Sequence, residues 1–364
     1  MGYDTKRSVE NIMNEADRYD NKGLIHDRQR LKELQALSLE RKIGITVARI
    51  IEWYSHYDGK VYISFSGGKD STVLLNIARK IYPDIEAVYV DTGLEYPEIK
   101  EFVKSFENVR IIRPERSFRS IVEEYGYPVI SKEVSECVEQ AKISLITGKY
   151  TYRLEKLNGT ARDKQGRLSL YNIPKYKPLL DVDFDLTARC CSIMKKRPLH
   201  KVSKELKPIT AQMASESRLR TTKWLQNGCN SFNSTNPISN PMSFWLEQDV
   251  LEYIKTFNLP IAKPYGEIVE ADGQKSLIDY KCKLCTTGCE RTGCLFCGFG
   301  LHREKGKTRF QQLKETHPKL YNYVISGGEY SSRGKWKPSK SGLGMGHVFD
   351  VLNSLYGDDF MRYK

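Results

Sequence analysis

Ser64-Phe65-Ser66-Gly67-Gly68-Lys69-Asp70-Ser71-Thr72 is the stretch on which the reading of this chain turns. It closes a short apolar run, Val61–Phe65, whose length and β-branched content predict a strand. It opens Thr72-Val-Leu-Leu-Asn-Ile-Ala-Arg-Lys-Ile, whose apolar spacing predicts a helix ended by Pro83. Two adjacent glycines let the backbone come close to an anion, and the helix start offers free N–H groups and its positive dipole end. Ser66, Ser71 and Thr72 add hydroxyls, and Lys69 adds charge. Asp70 does not suit bare anion capture; it makes sense if Mg²⁺ sits beside phosphates. The spacing G-x-x-x-x-G-K-[ST] of the Walker A loop is absent. A turn that uses Gly-Gly for geometry alone is the plainer alternative, but it leaves the hydroxyls, Lys69 and Asp70 without a reason.

Outward from this turn, Glu86–Val90 and Val109–Ile112 read as strands, with a helix predicted over Pro97–Phe106 between them. Short apolar strands alternating with ten-residue helices predict a parallel sheet of β-α-β units. The second strand runs into Asp91-Thr92-Gly93. Ligands of open parallel sheets sit at the carboxyl ends of strands, beside a reversal in strand order, so Asp91, Thr92 and Gly93 are expected near a nucleotide. A turn with a helix cap is the alternative for these three. Residues up to about 58 read as charged helices. Residues 142–180 break the rhythm with Gly148, Gly159, Gly166, Pro174 and Pro178 and read as an insertion or mobile flap. Periodic structure is expected again at Lys195–Leu206, at a strand Pro208–Met213, in a helix from Gln248 ended by Pro260, and at Thr308–Thr316, before a Gly-, Ser- and Lys-rich loop, Ser326–Gly346. The expected division is a helical segment 1–58, an α/β nucleotide-binding domain 59–240, and a helical, Cys-rich region 241–364.

Composition narrows the function classes. The chain has 364 residues, 40% hydrophobic and 28% charged, which is enough apolar material for a sizeable core. Mean hydropathy is −0.53, and no apolar run approaches the roughly 18–20 residues a membrane span needs. Met1-Gly2-Tyr3-Asp4-Thr5-Lys6 has no apolar signal-peptide core and no Ser or Thr at position 6, so a cytoplasmic protein is expected. The formal net charge of +13 favours an anionic partner. From Lys142 to Leu180 nine Lys/Arg face two acids, interleaved with Tyr150, Tyr152, Tyr171 and Tyr176. That suits phosphate contacts with base stacking, or a solvated surface. Trp224 and Trp245 read as core residues. Nine cysteines without a secretory signal do not read as a disulfide framework. Cys137 and Cys229 stand alone, Cys190 and Cys191 are adjacent, and Cys282, Cys285, Cys289, Cys294 and Cys297 crowd together, which points to a metal or cluster site.

The Ser66–Ser71 turn resembles the PP-loop, S-G-G-x-D-S, of N-type ATP pyrophosphatases, which cleave ATP between the α and β phosphates and adenylate a substrate. With Asp91-Thr92-Gly93, Arg189-Cys190-Cys191, Lys195, Arg197-Pro198-Leu199, Ala214-Ser215-Glu216-Ser217-Arg218-Leu219-Arg220, Pro241–Trp245, Asp249 and Gly293-Cys294-Leu-Phe-Cys297, the likeness widens. Over roughly residues 40–320 the chain is similar to the phosphoadenosine phosphosulfate (PAPS) reductase family of the PP-loop superfamily. The resemblance implies an adenine nucleotide α-hydrolase-like, Rossmann-like parallel sheet. As ATP-binding residues it implies Ser64, Ser66, Gly67, Gly68, Lys69, Asp70, Ser71, Asp91, Thr92, Gly93, Glu216, Arg218 and Arg220, with Lys69 and Asp70 in the catalytic role. Two departures stand out. No cysteine follows Cys297 in these residues, and Phe299 before Gly300-Leu301-His302 stands where reductases carry the attacking thiol. The phosphate loop has the ATP-cleaving form, which reductases usually lose. In addition, Ala211-Gln212-Met213 replaces the Gly-x-Arg of many relatives, so Met213 removes one expected phosphate contact.

Cys190, Cys191, Cys294 and Cys297 resemble the [4Fe–4S] ligand pattern of assimilatory adenylylsulfate reductases. The rival set, Cys282, Cys285, Cys294 and Cys297, has the spacing of a Zn²⁺ knuckle. The resemblance implies an ATP- and Mg²⁺-dependent adenylating enzyme that serves sulfur transfer, with a tRNA or DNA acceptor and a sulfur donor as partners. Two alternatives stay open: a thiol-dependent sulfonucleotide reductase using Cys289 or Cys229, and a non-catalytic nucleotide- or nucleic-acid-binding subunit.

Overall fold

The computed structural model describes residues 26–149, 151–271 and 283–364. These fall into two compact units that interleave along the chain. The first takes the described residues up to Asp91, Glu95–Ile112 and Leu199–Thr292; the second takes Thr92–Leu94, Arg113–Pro198 and Gly293–Lys364. This partition does not follow the boundaries 58 and 240 expected from composition. Segments distant in sequence complete each unit's core, so a division by chain order cannot capture them.

The first unit is built on a six-stranded sheet: β1 (Val61–Ser64), β2 (Ala87–Val90), β3 (Val109–Ile112), β4 (Lys207–Ile209), β5 (Asn230–Ser231) and β6 (Ile238–Ser239), in the order β3-β2-β1-β4-β6-β5. All pairings are parallel except β5 with β6. β1 and β2 are nearly all apolar because both of their faces are covered; Tyr62, Ile63, Ala87 and Val88 are buried. The helices are α1 (Arg28–Gln35), α2 (Leu39–His56), α3 (Lys69–Ile81), α4 (Pro97–Lys104), α5 (Arg218–Asn227) and α6 (Glu247–Thr256). α3 buries Val73, Leu74, Leu75, Ile77 and Ala78 on one face, as the helical spacing predicts. A hairpin of β7 (Ile268–Glu270) and β8 (Leu284–Thr286) completes this unit.

The Pro241–Trp245 and Asp249 segment, one carrier of the family resemblance, is structural. Trp245 is fully buried and its Nε1 donates to Thr46 Oγ1 at 2.9 Å. Asp249 pairs with the buried Lys42 of α2 at 2.6 Å and also accepts from Leu246 N at the start of α6. Trp224 is buried as well, so both tryptophans are core residues, as expected.

In the second unit, the described residues of the stretch read as an insertion or mobile flap carry short helices. The helix Lys132–Thr147 carries its first part, and Thr151–Asn158 packs back on that helix. Leu157 and Leu179 are fully buried, and Lys156 reaches Glu133 at 2.7 Å. The glycines that broke the pattern turn the chain between short elements; Gly148, Gly159 and Gly166 all have positive φ. The loop expected at 326–346 holds a short hairpin, Glu329–Tyr330 with Trp336–Lys337, and leads into the helix Met345–Tyr356. Among the described residues no helix is long and apolar enough to cross a membrane.

Candidate functional site

The strand order reverses at β1, which has β2 on one side and β4 on the other. The loops leaving the carboxyl ends of β1 and β4 therefore flank a crevice of the kind that binds nucleotides in open α/β sheets. Ser64 ends β1, and Gly67 turns the chain at φ +70. A Cβ on Gly67 would lie 2.8 Å from Ile99 Cγ2 and from Val103 Cγ2 of α4, so only glycine fits. Gly68 caps α3 without a side chain. Ser71 Oγ donates to Gly68 O at 2.9 Å and lies 3.0 Å from Ser66 Oγ, which binds the turn to the first turn of the helix. Thr72 Oγ1 also donates to Gly68 O.

Lys69 is almost wholly buried and already engaged. Its Nζ meets Glu247 Oε1 at 2.7 Å and donates to the Glu290 carbonyl. Its backbone N–H points to Tyr265 OH at 3.4 Å, and that hydroxyl lies 2.7 Å from Thr292 Oγ1. Asp70 is half-buried, and its Oδ1, shielded from solvent, has no hydrogen-bond partner among the described residues. Burial pushes its carboxyl above the ordinary range; Lys69, Arg291 and Arg220 pull it down and Glu247 pushes it up further. Beside it, Glu216 Oε1 accepts from Arg291 at 2.9 Å, and its Oε2 accepts from Met213 N at 3.0 Å and pairs with Arg220.

The structure thus brings Ser64, Ser66, Gly67, Gly68, Lys69, Asp70, Ser71, Glu216 and Arg220 to the carboxyl side of β1 and β4. Asp91 follows β2 in the same unit, with its carboxylate held by Lys100 of α4 at 2.7 Å. Arg218 is exposed at the start of α5, and nothing among the described residues ties it to this group. Thr92 and Gly93 fall in the second unit. Glu247, Tyr265, Glu290 and Arg291 were not foreseen. They arrive from α6 and from the segment flanking β7 and β8, and no local spacing links them to the Gly-Gly turn.

The second unit holds Cys190, Cys191, Cys294 and Cys297. Cys190 and Cys191 begin a helical stretch that contains a π-helical turn, Ser192–Lys196, an irregularity common at functional sites. The neighbouring Cys191 thiol, with burial, pushes the Cys190 thiol up; Cys191, Cys297 and Cys294 add like charge. The Cys191 thiol is pulled down by the adjacent Cys190, against burial, with help from Lys132 and Lys195. Burial raises Cys297 to about 11. Cys297 N donates to Cys294 O at 3.2 Å, and the following Gly298–Phe299 pairs with Val129–Ile130, next to Lys132. The donor chemistry fits an iron–sulfur cluster: four soft thiols in one neighbourhood, with lysines to offset the charge. As placed, however, no three Cys, His, Asp or Glu side chains among the described residues form a metal-holding group. For the zinc set, Cys282 lies outside the described residues, and Cys285 belongs to the first unit.

Residues 60–167 match the family model described as phosphoadenosine phosphosulfate reductase domain. An uncharacterized protein of Methanocaldococcus jannaschii is 28% identical over 33% of this chain and 29% of its own. Adenosine 5'-phosphosulfate reductase 1 of Bacillus subtilis is 25% identical over 32% of this chain and 52% of its own. This chain therefore spans about half or less of the curated relatives' length. A PAPS reductase structure from Candida auris matches with a TM-score of 0.34 and 14% identity, covering 66% of this chain and 92% of that one. Residues 60–167 are thus similar to a PAPS reductase domain, and the sheet to which they contribute is of the open α/β nucleotide-binding kind.

Proposed function

We propose that the chain is an ATP pyrophosphatase-type enzyme that adenylates an acceptor in the service of sulfur transfer. One observation carries the reading: an unsatisfied, buried Asp70 oxygen lies beside a Gly-Gly, Ser66/Ser71 cradle at a helix start and a strand-order reversal. In this reading ATP enters with its β and γ phosphates on the Gly67-Gly68 backbone and the two serine hydroxyls. Asp70 would hold Mg²⁺, which supplies neutralising charge to the polyphosphate. Lys69, Arg220 and Arg291 bring positive charge to the leaving pyrophosphate. An oxygen of the acceptor attacks the α phosphorus, the bond to the β-phosphate oxygen breaks, and pyrophosphate leaves. A sulfur nucleophile from a donor then displaces AMP from the adenylated acceptor. A tRNA or DNA acceptor is consistent with the net charge of +13. Cys190, Cys191, Cys294 and Cys297 would hold a [4Fe–4S] cluster, a group able to handle sulfur.

A second reading is supported by the names of the relatives and by one contact. Cys289, half-buried with its thiol 3.6 Å from Tyr96 OH, adjoins Glu290, whose carbonyl accepts from Lys69. It could serve as the thiol of a sulfonucleotide reductase that releases sulfite, with thioredoxin as reductant.

Incubation with ATP and Mg²⁺, with and without bulk RNA or DNA, should release AMP and pyrophosphate. Sulfite release from adenylylsulfate with thioredoxin, and no AMP from ATP, would favour the reductase. ATP binding without turnover of either substrate would leave a nucleotide-sensing subunit. Anaerobically purified protein should absorb near 400 nm and contain iron; a colourless protein with one zinc and no iron overturns the cluster.

A further inference from the structure

We propose that a cavity of about 330 Å³ on the flank of α5 is a second binding site, for a phosphorylated nucleoside unit. It lies between α5 and the segment that carries β5 and β6, and its volume falls in the range of small-ligand sites. The inference does not rest on the assignment of ATP to the Ser66–Ser71 turn.

The charge of the lining points to an anion. Arg220 and Lys223, three residues apart and so on one face of α5, both line the cavity, and among the described residues no carboxylate does. Arg220 is paired with Glu216, whereas Lys223 has no side-chain partner among the described residues. One cation held by a carboxylate and a second, Lys223, without one leave the lining net positive, which makes a phosphate a good match.

The rest of the lining points to a polar body attached to that anion. Gln212, Gln226, Thr235 and Asn236 line the cavity with side chains that have no hydrogen-bond partner among the described residues. Side-chain amides offer donor and acceptor together, which is what ribose hydroxyls and base edges require. The apolar part of the lining, Ala214, Trp224 and Ile238, is small, so a long acyl chain has little to bury against.

The frame around these free groups is fixed. Ser217 Oγ caps α5 by accepting from Arg220 N at 3.3 Å, and Trp224, 3% exposed, stacks on His26 at 4.9 Å. On the facing wall Asn240 is held by Thr210, and Ser243 Oγ lies 3.3 Å from the buried Cys229 thiol. With the frame fixed, the ordering cost of binding falls on the exposed side chains of Lys223, Gln226, Thr235 and Asn236.

The test uses the full chain and measures binding of uridine 5'-monophosphate and of a short single-stranded oligonucleotide, with ATP binding followed in parallel. Expected is saturable binding of at least one probe, weakened about tenfold or more by Lys223→Glu. Asn236→Ala should weaken it less, and ATP binding should be unchanged in both variants. Binding of the oligonucleotide alone identifies a phosphodiester chain as the source; competition by uridine 5'-monophosphate identifies a free nucleotide. Absence of binding by both probes overturns the proposal. So does binding that both variants retain, or a loss that ATP binding shares, because the cavity would then be part of the first site. Unchanged melting temperatures show that the variants are folded. Failure of wild-type protein to bind ATP would count against the proposed function and leave this site standing.

Discussion

Asp70 carries the sharpest residue-scale expectation. Burial raises its carboxyl pKa above the unfolded value, so the folded state binds the proton more readily. Stability contributed by the protonated form is present at low pH and is lost as pH rises through the folded pKa. At neutral pH the buried carboxylate is a liability, and Asp70→Asn should raise the melting temperature of the metal-free protein by a few degrees. The same variant should lose stabilisation by Mg²⁺ with ATP, which a thermal shift series reads directly. An unchanged melting temperature together with retained Mg²⁺ stabilisation would exclude Asp70 as the cation's ligand. At Gly67 the positive φ and the two 2.8 Å approaches to α4 act together. Gly67→Ala should cost about 1–3 kcal/mol in denaturant unfolding and weaken ATP binding.

The elements differ in what they ask of the site. α6 supplies Glu247 to Lys69 and Asp249 to Lys42, so one helix holds both the phosphate-loop lysine and a core lysine. Asp249→Ala leaves the buried Lys42 without its carboxylate and should cost about 3–5 kcal/mol of stability. Glu247→Gln should behave in the opposite sense for the ligand: it frees Lys69 and should tighten ATP binding severalfold by calorimetry. Weaker binding would mean that Glu247 positions Lys69 for the phosphates rather than competing with them. Tyr265→Phe, which removes the hydroxyl from the Lys69 N–H, should act in the same direction with a smaller effect. These partners were invisible beforehand because Glu247, Tyr265 and Glu290 meet Lys69 from nearly two hundred residues away or more. By contrast β1, α3, β2, α4 and β3 match the expected elements to within three residues at their ends, since their periodicity is local.

For the molecule as a whole, the net charge of +13 is less available than it looks. In the basic stretch Lys142 pairs with Asp185, Arg153 with Glu136, Lys156 with Glu133 and Arg167 with Asp163. Lys149, Lys164 and Lys177 are exposed. If this stretch contacts single-stranded RNA, replacing these three by Glu should lower the salt slope of binding by roughly 2. An unchanged slope places the contact elsewhere. The phosphate turn, its flanking strands and the α/β class could be read from the chain alone, because a strand, two glycines and a helix start are contiguous and their physics is local. Only the tertiary structure decided that Lys69 is held by Glu247, that one Asp70 oxygen is shielded and unsatisfied, and that Thr151–Asn158 packs on Lys132–Thr147. It also decided that the domains interleave, with Cys190 and Cys191 in the same unit as Cys294 and Cys297. Each of these depends on which distant segments pack together, and burial and ion pairing are properties of that packing rather than of any stretch of sequence.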